Sequence, residues 1–295
     1  MRDGLVVVDK PAGWTSHDVV GRLRRVYGQR RVGHAGTLDP DATGVLLVGL
    51  GRATRLLRFL QEATKAYRGR IVFGVATDTL DASGSVLERT EMPLTREQVV
   101  SAVVRFVGEI EQVPPMVSAI KVGGRKLYEL AREGVEVERA PRRVRVERLE
   151  VVEFEPGPYP EATVELECSS GTYVRTLAAD LGAALGGCAH LASLRRTRVG
   201  SFTTGDARGL AAIEADPGAA VVSPADAMRD LTPVVVDDEV ARAVTHGATF
   251  PARALLGGDD APGPFAVLGR DGGLLAVYER RGAGLRPAVV VGGAP

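Results

Sequence analysis

The chain has 295 residues, of which 45% are hydrophobic and 25% are charged, and its 37 basic and 37 acidic residues cancel. This composition is that of a soluble globular protein, and the length allows two domains or one large domain with an appendage. The sequence lacks both a transmembrane-length apolar run and a signal peptide, so we expect a cytoplasmic protein without a membrane partner.

The charged residues are unevenly distributed along the chain. Residues 1–68 contain twelve basic and six acidic residues, residues 121–150 contain nine and six, and residues 205–295 contain eight and twelve. Two basic segments on a chain without net charge indicate a local surface for a polyanion. Solvated surface charge explains the same segments about equally well.

The N-terminal third of the chain alternates between strand and helix patterns. GLVVVDK predicts a strand, a Pro-Gly turn follows, and Ser16 is placed to cap a helix over HDVVGRLRRVYG. TGVLLVGLG predicts a strand that ends in glycines, and RATRLLRFLQEA has its apolar residues at helical spacing. KAYRGRIVFGVATDT alternates as a strand does, and Thr95 is placed to cap the amphipathic helix that follows it.

The rest of the chain divides into an arm, a second strand-rich region and a tail. PPMVSAIKVGGRKLYELAREG combines prolines, a Gly-Gly turn and a basic amphipathic segment, and we expect it to protrude. RRVRVERLEVVEFE and EATVELECSS predict strands, and TYVRTLAADLGAAL predicts a helix. From about residue 233 the pieces are short and β-like, and Asp271-Gly272 predicts a hairpin. The tail therefore predicts a small β domain.

The segment RRVGHAGTLDPDATGVLLVGLGRATR places Asp39 in a loop rich in glycine and proline. Gly33, Gly36 and Gly44 permit backbone angles that other residues avoid, and Pro40 biases Asp39 toward an extended conformation. These residues predict a rigid turn with Asp39 near its apex. In an Asx-turn the aspartate would bond its own backbone. Alternatively, nearby cations keep the aspartate ionised for use as a nucleophile or base.

Other kinds of site fit the sequence poorly. The glycines match neither a dinucleotide-binding fingerprint nor a phosphate-binding P-loop. His34 and Asp39 lack a third metal ligand at a recognisable spacing, and no nucleophile elbow supports a Ser-His-Asp triad. Cys168 and Cys188 also lack metal-site spacing, so we interpret them as buried thiols. These spacings therefore predict neither a metal site nor a nucleotide-binding loop.

Several blocks together resemble the bacterial tRNA pseudouridine-55 synthases of the TruB family. GHAGTLDPDATGVLLVGLGRATR is similar to the signature loop, and VVVDKPAGWTSHDVV and KAYRGRIVFGVATDTLDASG are similar to the blocks on either side. PPMVSAIKVGGRKLYELAREG resembles the inserted thumb, and CSSGTYVRTLAADLG and AHLASLRRTRVGSF resemble the last two blocks. The likeness covers most of residues 4–204. Asp41 and Leu80 depart from the family's pattern.

The resemblance implies the pseudouridine synthase fold, which is α+β with a mixed, mainly antiparallel sheet core flanked by helices. The catalytic domain would span residues 1–230, with the thumb inserted at about 115–143. A small β-barrel-like domain of the PUA type would follow over residues 231–295.

The resemblance also implies an isomerase that makes pseudouridine at position 55 in the T-loop of tRNA without a cofactor. The reaction detaches uracil from C1′ and rejoins it through C5, after the base has been flipped out of its stack. Asp39 would start the reaction, and Tyr67 would stack on the base. Arg175 would pair with Asp39, and we expect it to lower the pKa of that carboxyl.

The same resemblance implies a set of RNA contacts. Tyr173 and Leu194 would join Tyr67 around the base, and His34 would help to hold the everted loop. Electrostatic contacts to the rest of the RNA are expected from basic side chains and one tyrosine of the thumb. These are Arg22, Arg24, Arg25, Arg30, Arg31, Arg55, Arg58, Lys121, Arg125, Lys126, Tyr128, Arg142 and Arg143.

Three alternative functions remain open at this point. A non-catalytic RNA-binding or RNA-folding module could keep the same scaffold, and a pseudouridine synthase could act on another RNA. A glycoside hydrolase would need a second carboxylate, for which Asp41 or Asp78 could be proposed. For the leading hypothesis we expect the tRNA T-arm as partner, no obligate protein partner and a monomer.

Overall fold

A computed structural model describes residues 2–117, 121–122, 124–127, 133, 135, 137–256 and 261–292. Its helices are α1 (Ser16–Tyr27), α2 (Leu57–Glu62), α3 (Arg96–Val103), α4 (Val174–Ala184), α5 (Leu210–Ala215), α6 (Pro224–Ala227), α7 (Asp238–Thr245) and α8 (Ala252–Leu256), with 3₁₀ turns at Gly51–Arg55 and Val104–Phe106. In these residues no helix combines the length and the apolar character needed to span a bilayer.

The strands up to the middle of the chain are β1 (Gly4–Lys10), β2 (Val32–Ala35), β3 (Thr43–Leu50), β4 (Lys65–Phe73), β5 (Val75–Thr77), β6 (Val86–Arg89), β7 (Gly108–Gln112), β8 (Lys121–Val122) and β9 (Arg125–Lys126). Those that follow are β10 (Arg142–Glu155), β11 (Glu161–Cys168), β12 (Ala189–Val199), β13 (Phe202–Thr203), β14 (Val221–Val222), β15 (Thr232–Val235), β16 (Phe250–Pro251), β17 (Phe265–Leu268), β18 (Leu274–Arg281) and β19 (Gly284–Val290).

The larger sheet has ten strands in the order β14-β1-β3-β12-β4-β11-β10-β7, with β2 also paired to β3 and β13 to β12. Only the contact between β3 and β12 is parallel within this sheet, and its other described pairs are antiparallel. This is the mixed, mainly antiparallel α+β arrangement that the sequence predicted. Because β12 lies between β3 and β4, the loop before β3 comes close to the middle of β4.

Apolar side chains cover both faces of this sheet. On one face α3 and α4 pack against β4, β10 and β11, and Val99, Leu177 and Val164 are buried there. On another part of the sheet α1 buries Val19 and Leu23 against β1 and β3. Removing such apolar surface from water contributes about 25 cal/mol per Å² to the stability of the fold.

The N-cap residues of α1 and α3 can be compared with the residues that the sequence predicted. Thr95 caps α3 through a capping box, as predicted. The prediction that Ser16 caps α1 is wrong by one residue, because Thr15 forms a capping box with Asp18. The Ser16 side chain is instead buried, and its hydroxyl bonds the backbone of Leu38.

A five-stranded sheet in the order β15-β17-β18-β19-β16 forms the C-terminal part. Its predicted hairpin is present between β17 and β18, where the amide of Gly269 donates to the carbonyl of Gly273 at 3.0 Å and Gly272 has a φ of 79°. Val277 of this sheet shares a buried apolar cluster with Val199 of β12, so the two sheets pack against each other. The predicted domain boundary after residue 230 stays a prediction.

The predicted thumb is only partly covered by the described residues. Within it, β8 and β9 form a short antiparallel hairpin in which Lys121 lies opposite Lys126. The protrusion of this segment stays a prediction.

Replacing Gly44 with alanine is expected to lower the free energy of unfolding by about 2–4 kcal/mol. Gly44 has a φ of 99°, and a Cβ there would overlap the backbone carbonyl of Arg196 across the parallel contact of β3 with β12. Gly28→Ala is the matched control, because Gly28 has a φ of 61° but open space around it. Urea denaturation of both variants measures the difference, and equal losses would contradict the clash.

Candidate active site

The loop between β2 and β3 carries Asp39 and is held from outside. The side chain of Lys10, at the end of β1, is fully buried and donates a hydrogen bond to the carbonyl oxygen of Pro40 at 2.7 Å. The hydroxyl of Ser16 accepts a hydrogen bond from the amide of Leu38 at 2.9 Å. The backbone is therefore fixed on both sides of Asp39.

Arg175, in the first turn of α4, joins Asp39 to a second carboxylate. Its Nε lies 3.1 Å from Oδ2 of Asp39, and its Nη1 lies 3.3 Å from Oδ2 of Asp81. The guanidinium also donates to the carbonyl oxygens of Thr79 at 3.1 Å and Val117 at 2.8 Å. Arg175 is thus a fixed cation between two acidic side chains.

The carboxylate of Asp39 is directed outward rather than into its own loop. Within the described residues its hydrogen-bonded partner is Arg175, and no backbone amide of the loop bonds its oxygens. About 43% of the Asp39 side chain is exposed, against 6% of Arg175. The geometry therefore favours an available carboxylate over the Asx-turn interpretation.

The pKa of Asp39 lies above its ordinary value. Burial of the carboxyl in the cleft is the largest cause and raises the pKa, Arg175 lowers it, and the negative charge of Asp81 raises it. Arg175 therefore lowers the pKa of Asp39, as predicted, while burial keeps the net pKa above its ordinary value. Because part of the Asp39 side chain is still exposed to solvent, water weakens the effects of the Arg175 and Asp81 charges on its pKa.

A cavity of about 290 Å³ opens in front of Asp39. Its lining includes Tyr67, Tyr173, Arg175 and Leu194, so the structure brings these predicted residues together with Asp39. A smaller cavity of about 150 Å³ adjoins Asp39 and is lined in part by Asp81 and Leu194.

Three different elements supply the apolar part of the larger cavity. Tyr67 projects from β4, where it lies opposite Leu166, and Leu194 lies on the adjacent β12. Tyr173 caps α4, and the buried side chain of Gln112 holds its backbone through hydrogen bonds at 3.0 and 3.3 Å.

His34 lies on β2 and does not line either cavity that contains Asp39. Its ring makes an edge contact with the ring of His17 at 5.4 Å between centroids. Burial is the main cause that lowers the pKa of His34, and its Nδ1 is buried with no hydrogen-bond partner among the described atoms. A buried imidazole ring whose Nδ1 has no described hydrogen-bond partner is therefore placed two residues before the cavity-lining Gly36.

The predicted basic contacts divide into two groups. Arg55 donates to the backbone carbonyl of Val290 at 3.1 Å, Arg58 pairs with Glu279 at 2.6 Å, and Arg22 pairs with Glu214 at 2.5 Å. These side chains make contacts within the protein, and two of them reach the C-terminal sheet.

Other predicted contacts lie in exposed positions or outside the described residues. Exposed side chains belong to Arg24, Arg25, Arg30, Arg31, Arg142 and Arg143. In the thumb, Arg125 pairs with Glu133 at 2.5 Å. The side chains of Lys121 and Lys126 and the whole of Tyr128 lie outside the described residues.

Over the described ranges, no three His, Cys, Asp or Glu side chains are arranged to hold a metal ion. The lining of the larger cavity instead offers one carboxylate, the guanidinium groups of Arg175 and Arg196, the ammonium group of Lys65 and two aromatic rings. Such a set can hold a flat, polar ring beside an anionic oxygen.

Comparison with known proteins assigns the chain to a family. The family model described as TruB family pseudouridylate synthase (N terminal domain) matches residues 24–174, and that of the tRNA pseudouridylate synthase B C-terminal domain matches residues 175–228. The chain is 52% identical to tRNA pseudouridine synthase B of Symbiobacterium thermophilum over 85% of this chain and 84% of the relative. The chain belongs to the TruB family. It is therefore a pseudouridine synthase, an isomerase.

Further relatives extend the TruB likeness to the whole chain. The tRNA pseudouridine synthase B of Thermobifida fusca is 45% identical over 99% of this chain and all of the relative. A Cbf5-Nop10-Gar1 complex contains a chain with a TM-score of 0.72 and 29% identity, covering 94% of this chain and 78% of that one. A chain in an H/ACA RNP bound to a substrate RNA containing 2′-deoxyuridine has a TM-score of 0.73 and 25% identity. The match covers 97% of this chain and 84% of that one. The predicted pseudouridine synthase fold with a PUA-type β domain is confirmed.

The two departures from the TruB pattern have different surroundings. Asp41 is exposed, and its charge raises the pKa of Asp39 less than that of Asp81 does. Leu80 has a φ of 62°, a left-handed value that is uncommon outside glycine, and it directly precedes Asp81.

Lys10 and Asp81 were not among the predicted site residues. Lys10 closely follows the apolar run of β1, and a lysine next to such a run can be buried, as it is here. Asp81 was overlooked in favour of Asp78, and nothing in the local pattern distinguishes the two residues.

Replacing Asp81 with asparagine is expected to lower the pKa of Asp39. The change removes a negative charge that raises this pKa and frees one side of Arg175, and both effects favour the ionised carboxyl. A carbon-13 NMR titration of aspartate carboxyls, assigned with Asp39→Asn, measures the shift. Asp78→Asn is the control, because Asp78 accepts from the amide of Ser85 at 2.9 Å and does not contact Arg175. An unchanged or higher pKa would contradict the expectation.

Proposed function

We propose that this chain converts uridine to pseudouridine at position 55, in the T-loop of tRNA, and that Asp39 starts the reaction. The observation that carries the proposal is the Asp39 carboxylate, which faces a cavity of about 290 Å³ and is held by Arg175 rather than by its own loop. A protein that only bound RNA would gain nothing from a carboxylate at this place, because it would repel phosphate groups.

The reaction breaks the bond from C1′ to N1 of uracil and forms a bond from C1′ to C5. The proton on C5 is lost and N1 gains one, so nothing is added to the RNA overall. An ionised Asp39 can attack C1′, attack the ring or remove a sugar proton, and each route begins at the same carboxylate. Arg175 favours the ionised form of the Asp39 carboxyl and fixes its direction, since the position of Arg175 is set by Asp81 and two backbone carbonyls.

The target base must leave its stack to reach Asp39, which costs a few kcal/mol. Stacking on an aromatic side chain returns about 1–3 kcal/mol per base. Tyr67 and Tyr173 provide such rings in the cavity, and Leu194 provides an apolar surface beside them. His34, outside the cavity, would contact the everted loop near its entrance.

The RNA substrate is inferred from the relatives, which carry the name tRNA pseudouridine synthase B, and from the exposed charge. The exposed arginines in and just after α1, namely Arg24, Arg25, Arg30 and Arg31, lie on the segment that precedes the Asp39 loop. Arg22, Arg55 and Arg58 are weaker candidates because they contact α5 and the C-terminal sheet. Arg24 and Arg31 instead bond Val32 and Thr54, which lie closer in the chain. We infer that the chain acts as a cytoplasmic monomer without an obligate protein partner, through a catalytic domain over residues 1–230.

The experiment that tests this proposal uses the purified chain alone. It is incubated with unmodified tRNA transcript and with a T-arm stem-loop, and pseudouridine is mapped by carbodiimide modification and primer extension. We expect one stop at position 55, its loss in a transcript with cytidine there, and no conversion by Asp39→Asn. Modification elsewhere would overturn the site, and no conversion by the unaltered protein would overturn the activity.

A further inference from the structure

Arg196 on β12 is a buried arginine that the proposed reaction does not yet use. Only 1% of the residue is exposed. Its Nε donates to the carbonyl oxygen of Val45 at 2.7 Å, and its Nη2 donates to that of Gly36 at 3.1 Å. Arg196 lies opposite Tyr67 across β12 and β4, and both residues line the cavity in front of Asp39. One side chain thus bonds β3 and the start of the Asp39 loop and lies beside Tyr67 of β4.

The described hydrogen bonds of this guanidinium go to backbone carbonyl oxygens, which have no formal charge. Burying a charge without a carboxylate is costly, and apolar side chains of similar volume often replace buried charges without loss of stability. Stability of the sheet alone therefore does not account for an arginine here. A need for several fixed donors accounts for it, because guanidinium offers five in a rigid plane.

We propose that Arg196 is a positioning residue for the reaction, which holds the first residue of the Asp39 loop in a fixed arrangement relative to Tyr67 on the neighbouring strand. The proposal rests on the proposed roles of Tyr67 and Asp39. A single side chain would then fix the position of the Asp39 loop relative to Tyr67 of β4, which are the two parts of the protein that contact the flipped uridine.

The surroundings of Gly36 support this arrangement. Gly36 has a φ of 80°, and a Cβ there would lie 3.5 Å from Nη1 of Arg196, so the loop backbone packs directly over the guanidinium. Asp39 follows three residues later in a loop that Lys10 and Ser16 hold from the other side. A shift of about 1 Å in such a loop can cost 10²-fold in rate.

The charge of Arg196 also acts on Tyr67. Burial is the main cause that raises the pKa of the Tyr67 hydroxyl, and the charge of Arg196 opposes this rise. Loss of the guanidinium should therefore make the hydroxyl still harder to ionise. This gives a signal that a purely structural role would not produce.

The test compares Arg196→Met, Arg196→Lys and Arg195→Met. Arg195 is the matched control, because it lies on the same strand, faces the opposite way and pairs with Asp9 at 2.9 Å. Each variant is also made with 3-fluorotyrosine at position 67, whose hydroxyl is titrated by fluorine-19 NMR. Single-turnover rates and KM are measured on the T-arm stem-loop, and thermal unfolding reports on the fold.

For Arg196→Met we expect a rate about 10²-fold lower, with little change in KM and a fluorotyrosine that titrates at higher pH. Arg196→Lys should recover part of both effects, since it keeps the charge, and Arg195→Met should change neither. An unaltered rate in Arg196→Met, or a lower rate with an unshifted titration, would overturn the proposal. If Arg196→Met fails to fold, Arg196→Lys decides by the same two measurements. An inactive unaltered protein would refute the proposed function instead, while the fluorine titration would still test the effect of Arg196 on Tyr67.

Discussion

Asparagine in place of Asp39 is expected to lower kcat by at least about 10⁴-fold, the size of loss seen when a reacting side chain is removed. The two side chains have the same shape, and the amide oxygen can still accept a hydrogen bond from Arg175. The variant therefore loses the negative charge and little else. Arg175 keeps its contact with Asp81, so no unpaired buried charge is created.

RNA affinity separates this expectation from general damage to the site. The Kd for the T-arm stem-loop, measured by filter binding, should stay close to that of the unaltered protein or become tighter, because a negative charge has left a site that binds a polyanion. Asp41→Asn serves as the control, because it removes an exposed carboxylate two positions away that does not contact Arg175. Equal losses in the two variants, or residual activity above one hundredth in Asp39→Asn, would contradict the role of Asp39.

The elements of this fold could be predicted where the signal is local. β10 and β11 follow the predicted alternating segments closely, and the hairpin at Asp271-Gly272 needs only a short-range turn preference. Thr15 and Ser16 are both good caps, and the choice between them depends on Ser16 bonding Leu38 across the loop. The sequence contains no local sign of that distant contact.

The parallel contact between β3 and β12 could not be predicted from periodicity. The two strands lie about 150 residues apart and meet only near Gly44, where the absence of a side chain allows the carbonyl of Arg196 to come close. The same contact brings Leu194 and Arg196 beside the Asp39 loop. Patterns of apolar residues indicate which face of a strand is buried but not which distant strand lies beside it.

The candidate site could be predicted only where family resemblance supplied the pairing. Arg175 and Asp39 are separated by 136 positions, and an arginine at the start of a helix is usually a surface residue. Buried cations are even harder to predict from the sequence. Arg196 looks like its neighbours Arg195 and Arg198 in sequence, although it is the buried one of the three. No local pattern indicates that Arg55 and Arg58 contact the C-terminal sheet, and their roles as RNA contacts stay predictions.

Alanine in place of Arg175 is the second change with a large expected effect. It should lower kcat by about 10²–10³-fold, as the loss of a fixed donor in a reacting site does. It should also lower the free energy of unfolding by about 3 kcal/mol, because Asp39 and Asp81 then lose their shared cation. Arg175→Lys should keep the positive charge but lose the geometry that lets Arg175 contact two carboxylates and two backbone carbonyls. It should therefore regain only part of kcat and part of the free energy of unfolding.

The pH dependence gives this prediction a definite sign. The proposed reaction needs ionised Asp39, so the rate falls as pH drops through the pKa of that carboxyl, which already lies above its ordinary value. Removing Arg175 takes away the cation that lowers this pKa, so the acid side of the profile should move to higher pH. Removing the charge of Asp81 should move it to lower pH. Single-turnover rates of Arg175→Ala and Asp81→Asn are measured between pH 4 and pH 8. We expect the acid sides of their pH–rate profiles to shift in opposite directions from that of the unaltered protein. Shifts in the same direction would contradict a guanidinium shared between these two carboxylates.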